Sequence, residues 1–203
     1  YRAQWRRYVC RRAISVLTRA RAHAAAERRR LNSLNYGDLL TLTARVLREN
    51  ADVRRALQQK YRRVFVDEFQ DTDPVQAEIL LLLSARDGRA TRADRIEPVR
   101  GKLFIVGDPK QAIYRFRGTD VGTYLKVRDQ LQASGGRVLQ LTTSYRSVPE
   151  IQRFVNAAFA EEMIANDATL QAGYVPLSEW RAPIAEPQPA VVALPVPRPY
   201  SGR

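Results

Sequence analysis

The first third of the chain repeats apolar side chains with the period of an α-helix. Over residues 1–31 they recur every three or four positions with arginines between them, which predicts one long helix. Residues 35–37 interrupt this pattern with Asn, Tyr and Gly. The leucines and valines that follow predict a second helix at about 38–49, and a short third helix is predicted around 52–60.

The rest of the chain alternates short apolar runs with helical segments. The runs at 64–66 and 103–106 are unalternating, which is typical of strands buried on both faces. A further run at 138–141 predicts a third strand. Because strands that alternate with helices form parallel βαβ units, we expect an α/β fold with a parallel sheet.

Capping and turn residues place the helices between these strands. Asp73 followed by proline is an N-cap signal and predicts a helix over about 75–85. Further helices are predicted at 119–133, which stops at a Gly-Gly pair, and at about 149–163. The polar stretch 86–100 is predicted to be a surface loop.

The C-terminal part of the chain has a different composition. Seven of the 11 prolines lie between 176 and 199, which predicts an extended or linker-like tail with one edge strand at 191–194. The chain begins without an initiator methionine or a signal peptide. We therefore expect it to be a segment of a longer protein.

Composition excludes several classes of protein. A hydrophobic share of 45% and a charged share of 27% are ordinary for a globular domain. No apolar run approaches the ~20 residues needed to span a bilayer, so no membrane partner is expected. One cysteine and one histidine exclude a disulfide framework and a Cys/His zinc site within these residues.

The net charge of +13 is confined to one part of the chain. Residues 1–65 hold 17 Lys and Arg against four acids, whereas residues 66–203 hold 17 of each sign. A basic segment favours contact with nucleic-acid phosphates. A solvated arginine face on the helices is an equally good interpretation. Genome-wide codon bias would also explain why 30 of the 34 basic residues are arginine.

Ligands of parallel sheets bind beyond the carboxyl ends of the strands, so the residues that follow each strand are candidates for chemistry. Asp67 and Glu68 follow the first strand. Two adjacent carboxylates are costly at the end of an apolar strand unless something charged binds there, and a magnesium–nucleotide complex would supply that charge. The alternative is a pair of acids that only stabilises the N-terminus of the next helix.

The segment after the second strand is rich in donors and aromatic rings. Gln111 could contact a phosphate or a water. Tyr114 and Phe116 offer flat faces on which bases could stack, and Arg115 and Arg117 could pair with phosphates. The alternative is that the two aromatic side chains serve only in packing.

The segment after the third strand contains Tyr145 and Arg146. The arginine could reach a γ-phosphate, and the tyrosine could stack on a nucleobase. The alternative is a surface Tyr-Arg pair in a turn that leads into a helix.

Three segments can be compared with known motifs. Residues 66–72 read Val-Asp-Glu-Phe-Gln-Asp-Thr, 107–118 begin Gly-Asp-Pro-Lys-Gln, and 145–147 read Tyr-Arg-Ser. In order and spacing they resemble motifs II (the Walker B box), III and IV of the UvrD/Rep family of superfamily 1 DNA helicases. Residues 35–40 resemble the D-F-x-D-L-L segment of that family. The sequences at 71–76 and 107–111 look more like its RecB/AddA branch of helicase–nucleases than like the wider family.

The resemblance implies an ATP site that uses ATP and Mg²⁺ as cofactors. Asp67 would bind Mg²⁺, and Glu68 would be the catalytic base for ATP hydrolysis. Gln111 would sense the γ-phosphate, Arg146 would contact it, and Tyr145 would lie near the nucleotide base.

The resemblance also implies partners and a location. Tyr114, Phe116 and Arg117 would lie along single-stranded DNA, with Phe116 standing where many relatives have Trp. Single- and double-stranded DNA and the partner subunits of a helicase–nuclease complex are the implied partners. A bacterial cytoplasmic, nucleoid-associated protein is the implied setting.

The implied fold is a partial RecA-like P-loop NTPase domain with a parallel sheet, N-terminal helices and a Pro-rich C-terminal tail. Its expected parts are a basic helical segment at 1–60, an ATPase core fragment at 61–170 and, at 171–203, a Pro-rich linker or the start of the next domain. No G-x-x-G-x-G-K-[ST] sequence occurs in these residues, so we expect no ATPase activity from the chain alone. The function that the resemblance implies is a segment of a DNA helicase motor, which couples ATP hydrolysis to translocation on single-stranded DNA and unwinding in DNA repair and recombination. The alternatives are a non-catalytic helicase-like DNA-binding module and another α/β phosphate-binding enzyme, such as a kinase.

Overall fold

The computed structural model describes residues 2–114, 116, 118–119, 121–166, 171–183 and 189–194. Helices and short strands alternate along these residues, as the sequence predicts. The elements are α1 (Arg2–Arg30), α2 (Tyr36–Glu49), α3 (Ala51–Lys60), β1 (Val64–Val66), α4 (Pro74–Ser84), β2 (Leu103–Ile105), α5 (Val121–Ala133), β3 (Thr143–Ser144), α6 (Pro149–Ala160) and β4 (Ser178–Glu179).

Two helices begin with a reciprocal pair of side-chain caps. In α2 the Asn35 side chain accepts from the Asp38 backbone N–H at 2.7 Å, and the Asp38 carboxylate accepts from the Asn35 N–H. Asp73 and Gln76 form the same arrangement at α4, with Pro74 in the first turn. Each pair satisfies N–H groups that a helix start leaves unpaired, which confirms the predicted N-cap at Asp73.

The hydrophobic core is built around α4. The sequence of this helix is apolar on almost every side, and it packs against α2, α3 and α5. Leu82 is 0% exposed, and burial of such a side chain contributes about 1.5–3 kcal/mol. The buried core residues are Leu47, Phe69, Ala77, Leu81, Leu82, Ala85, Ile96 and Val127.

Helix α1 lies apart from this core. None of its described residues is buried, and its large apolar side chains, among them Trp5 and Tyr8, are exposed. An ion pair of 2.6 Å between Arg28 and Asp38 joins its C-terminal end to α2. Within the part of the chain that the structure describes, no helix is long and apolar enough to cross a membrane.

Strands β1 and β2 pair in parallel, which confirms the predicted parallel arrangement. Val66 and Ile105 pack against the core. The prediction that both faces are buried is wrong, because Phe65 is 72% and Phe104 56% exposed. These two side chains are cross-strand neighbours on the opposite face, their rings 5.7 Å apart, and the described residues leave that face uncovered.

The stretch 86–100 is not simply a surface loop. Ile96 is 1% exposed, and Pro98 is fully buried and bridges to Ala85. The buried Arg54 guanidinium donates to the carbonyl oxygen of Ala90 at 3.4 Å. A polar sequence therefore folds back onto the core, because its few apolar residues and backbone groups find partners there.

Two strand predictions near the C-terminus are wrong. Residues 138–141 are not a strand, and β3 lies two residues further on, at Thr143–Ser144. Its parallel partner is β4, whose Ser178 N–H donates to the Thr142 carbonyl at 2.7 Å. This distant partner, and not local hydrophobicity, decides where β3 forms. The described residues of 191–194 contain no strand, and α6 ends at Ala160 instead of 163.

Candidate active site

The two predicted catalytic acids lie directly beyond the carboxyl end of β1. Glu68 adopts a left-handed backbone conformation, with φ 51° and ψ 41°, and its N–H donates to Asp67 Oδ1 at 2.9 Å. This conformation is unfavourable for a residue with a Cβ, by roughly 1–3 kcal/mol. It is followed by a 3₁₀ turn that buries Phe69 and Gln70 while both acids stay exposed.

Gln70 connects the two strand ends. Its side chain is buried, and its Nε2 donates to Glu68 Oε2 at 2.6 Å. Its Oε1 accepts from the Asp108 backbone N–H at 2.9 Å. Sequence reasoning did not give this residue a role, although it lies within the 66–72 segment that resembles motif II.

The backbone after β2 passes very close to this glutamine. An ideal Cβ on Gly107 would lie 2.8 Å from Gln70 Oε1 and 3.2 Å from the Phe69 nitrogen. The Tyr124 hydroxyl donates to the Gly107 carbonyl at 3.3 Å. Only a glycine fits between these groups without a shift of backbone or buried side chains.

Asp108 organises the turn that carries Gln111. The two carboxylate oxygens of Asp108 accept from the Lys110 N–H and Nζ at 3.0 Å each and from Gln111 Nε2 at 3.2 Å. Burial alone would raise the pKa of Asp108, but the hydrogen bonds and charge of Lys110, with the Gln111 bond, outweigh it and hold this pKa below its ordinary value. The structure thus brings Asp67, Glu68 and Gln111 together through a chain of hydrogen bonds.

The predicted aromatic pair lies just after this turn. The Tyr114 and Phe116 rings are 6.0 Å apart and tilted by 57°, and Phe116 is 79% exposed. Arg117, the third predicted DNA-contact residue, lies outside the described residues, as does Arg115.

Tyr145 and Arg146 lie at the end of β3, in a second cluster. The Tyr145 ring is 5.2 Å from the Trp180 ring, and Arg181 donates to the Arg146 carbonyl at 3.1 Å. With Val148 and Ala182, the residues Tyr145, Trp180 and Arg181 line an open cleft of about 580 Å³. Sequence reasoning missed Trp180 and Arg181 because it did not predict β4.

The two clusters are not joined directly. Among the described residues, no hydrogen bond, ion pair or ring contact links Tyr145 or Arg146 to Asp67 or Glu68. The structure therefore assembles the acids with Gln111 and leaves the predicted phosphate-contacting arginine in a cluster of its own.

The acid pair fits a metal ion that binds together with the phosphates of a substrate. In the described part of the chain, no group of three or more His, Cys, Asp and Glu side chains could hold a metal ion. Mg²⁺ keeps several waters and is held by one or two carboxylates together with substrate phosphates. Asp67 and Glu68, exposed at a strand end, fit that donor set.

The chain is similar in sequence to a known protein family and to several characterised proteins. Residues 12–132 match the family described as the UvrD/REP helicase N-terminal domain. The chain is 42% identical over 127 residues to RecBCD enzyme subunit RecB of Mycolicibacterium smegmatis and 36% over 152 residues to that of Escherichia coli. It is 35% identical over 134 residues to an ATP-dependent helicase/nuclease subunit of Streptococcus pyogenes.

These matches cover most of this chain and little of the relatives. The aligned share of this chain is 62%, 72% and 65% for the three proteins, in that order. The aligned share of the relatives is 10%, 12% and 10%. The chain thus spans about a tenth of the length of the curated relatives it matches.

Proposed function

This chain belongs to the UvrD/REP helicase N-terminal domain family, and we propose that it is a segment of an ATP-dependent DNA helicase motor of the RecB/AddA type. The observation that carries the proposal is the hydrogen-bonded chain from Glu68 through Gln70 and Asp108 to Gln111. It lies at the carboxyl ends of two parallel strands, where α/β proteins bind nucleotides.

The proposed division of the chain follows from this assignment. Residues 61–170 form part of a RecA-like ATPase core, preceded by a basic helical segment at 1–60 and followed at 171–203 by a Pro-rich linker or the start of the next domain. Support for the core comes from the parallel pairing of β1 with β2 and from the packing of α4 against α5 within it.

Each site residue has a proposed chemical role. Mg²⁺–ATP, when bound, supplies the phosphoanhydride that is cleaved. Asp67 would hold the metal through its exposed carboxylate, and Glu68 would orient the attacking water and accept its proton. Gln111 contacts the γ-phosphate region. Arg146 would bring a guanidinium to the γ-phosphate.

The DNA contacts are proposed for the turn that follows Gln111. The Tyr114 and Phe116 rings stack on bases of the DNA, which contributes about 1–3 kcal/mol per base. Arg117 pairs with the phosphates of the DNA backbone. The relatives named RecB are subunits of a complex called RecBCD, which supports a site for partner subunits in the longer protein.

The decisive experiment uses the longer protein that contains this chain. Glu68→Gln is expected to lower the rate of ATP hydrolysis by about 10²–10⁴-fold, since the amide cannot accept the proton of the water. The affinity for ATP should change less than threefold. Glu161→Gln, at the exposed end of α6, is the matched control and should keep full turnover. Normal hydrolysis by the Glu68 variant would overturn the assignment.

A second experiment uses the chain itself. We propose that it does not hydrolyse ATP alone, because no phosphate-cradling G-x-x-G-x-G-K-[ST] loop occurs in its sequence. Hydrolysis by the purified chain that Glu68→Gln abolishes would contradict this. Absence of hydrolysis in the longer protein, with DNA binding retained, would instead favour a non-catalytic DNA-binding module.

A further inference from the structure

A buried glutamine lies between the acid pair and the turn after β2, and neither the proposed roles nor the sequence motifs give it a task. We infer that Gln70 is a positioning residue, which holds the Glu68 carboxylate in place and ties it to the backbone of Asp108. This inference rests on the proposed ATPase function of the same site.

The orientation of the Gln70 amide is fixed by its neighbours. A backbone N–H can only donate, so the amide oxygen must face the Asp108 nitrogen, 2.9 Å away. The amide nitrogen must then point to Glu68, whose Oε2 lies 2.6 Å from it. The same two contacts exclude the flipped amide. Its nitrogen would face the Asp108 N–H, which is also a donor, and its oxygen would face the Glu68 carboxylate, which is also an acceptor.

The contact with Glu68 is of a strong kind. A hydrogen bond from an amide to an ionised carboxylate is short and roughly twice as strong as a neutral one. Gln70 is 2% exposed, so water cannot replace the lost partner on the glutamine side. Glu68 itself is exposed, so its side chain has few packing restraints. Loss of this donor would leave the carboxylate free to rotate.

The contact between Gln70 and the backbone that follows β2 also leaves little room for movement. Gly107 approaches the Gln70 oxygen so closely that a Cβ would lie 2.8 Å from it. The next residue, Asp108, holds Gln111 through its carboxylate. A displacement of the turn that carries Gln111 therefore moves the Gln70 amide and, through it, the Glu68 carboxylate. This is a physical link between the residue proposed to sense the γ-phosphate and the proposed base.

The link itself can be tested in this chain without any activity. Gln70→Glu keeps an oxygen that accepts from the Asp108 N–H, but it places a second carboxylate against that of Glu68. The two negative charges repel each other, so the melting temperature should fall by about 5 °C. Combining it with Glu68→Gln exchanges donor and acceptor and restores the hydrogen bond. The double variant should therefore melt several degrees above Gln70→Glu alone. Additive effects of the two substitutions would overturn the inference.

The positioning role is tested in the longer protein by comparing the effect of a substitution on kcat with its effect on KM. Gln70→Leu should lower kcat for ATP at least tenfold and change KM less than threefold, because the base is misplaced while binding is kept. Gln152→Leu is the control, since Gln152 is a second buried glutamine, 4% exposed, that contacts Asn156 in α6. It should lose stability and keep kcat. Equal kcat in both variants would overturn the role of Gln70.

The outcomes separate this inference from the function on which it rests. If Glu68→Gln is inactive and Gln70→Leu is fully active, only the inference on Gln70 fails. If Glu68→Gln hydrolyses ATP normally, the proposed function fails, and the positioning role fails with it, even where the thermal coupling between the two residues persists.

Discussion

Two pairs of parallel strands carry the predicted site residues, and they differ in how they are supported. Behind β1 and β2 lies the core around α4, and the inner side chains Val66 and Ile105 pack into it. Strands β3 and β4 have two residues each, are rich in hydroxyl groups and bond to each other. The side chains of α6 contact the β4 side of this pair. Asn156 bonds the backbone of Leu177 there, and Arg153 pairs with Glu179.

This difference decides how well each site is fixed. The acids after β1 are joined to Gln111 by a buried glutamine. Tyr145 and Trp180, after β3 and β4, are 62% and 69% exposed and mainly contact each other. The family match, at 12–132, includes the first strand pair and stops before the second. Segments with few buried contacts open locally more readily than segments packed on a core, so we expect the first site to keep its geometry without a ligand better than the second.

The sharpest test of the comparison is a substitution in the core beneath the first pair. Leu82→Ala removes a fully buried side chain and should lower the free energy of unfolding by about 2–5 kcal/mol. Leu139→Ala, just before β3, removes a side chain that is 73% exposed and should cost less than about 0.5 kcal/mol. Urea denaturation measures both, and similar losses would contradict the comparison.

A smaller loss of stability is expected where the Gly107 backbone approaches the Gln70 side chain. Gly107→Ala must displace Gln70 or the Phe69 backbone and should cost about 1–3 kcal/mol. Gly88→Ala is the matched control, since its Cβ would meet no atom within 4 Å. The same denaturation experiment should show little change there. A neutral Gly107→Ala would mean that the first site is looser than described.

A still smaller effect concerns pH. The lowered pKa of Asp108 means that its contribution to stability is fully present above its ordinary value of 3.8 and is lost as pH falls through the folded value. Asp108→Asn should therefore be less stable than the parent at neutral pH, and the difference should shrink below about pH 4. Urea midpoints between pH 7 and 2.5 measure it, with the exposed Asp52→Asn as control. A difference that grows on acidification would have the wrong sign.

The smallest effect is expected in the second cluster. With Trp5→Phe, Trp180 is the single tryptophan of the chain. Tyr145→Ala should then shift its fluorescence by a few nanometres and change the free energy of unfolding by less than about 0.5 kcal/mol, because both rings are exposed. A large loss of stability would show that the second strand pair has a core of its own.

The sequence predicted those features that depend on neighbours along the chain. The cap at Asp73 and the first two strands are confirmed, because a capping side chain and a short apolar run act over a few residues. The placement of Asp67, Glu68 and Gln111 just beyond strand ends follows from the same local patterns. Their chemical roles remain predictions.

Features that depend on distant partners were decided only by the tertiary structure. The position of β3 is set by Ser178, far along the chain, and Ile96 is buried because the loop around it returns to α4. Phe65 is exposed because the described residues leave one face of the sheet uncovered. The burial of Gln70 has the same origin. No period or motif encodes that an amide will lie between a carboxylate and a backbone N–H from another strand, since that contact exists only once β1 and β2 are paired.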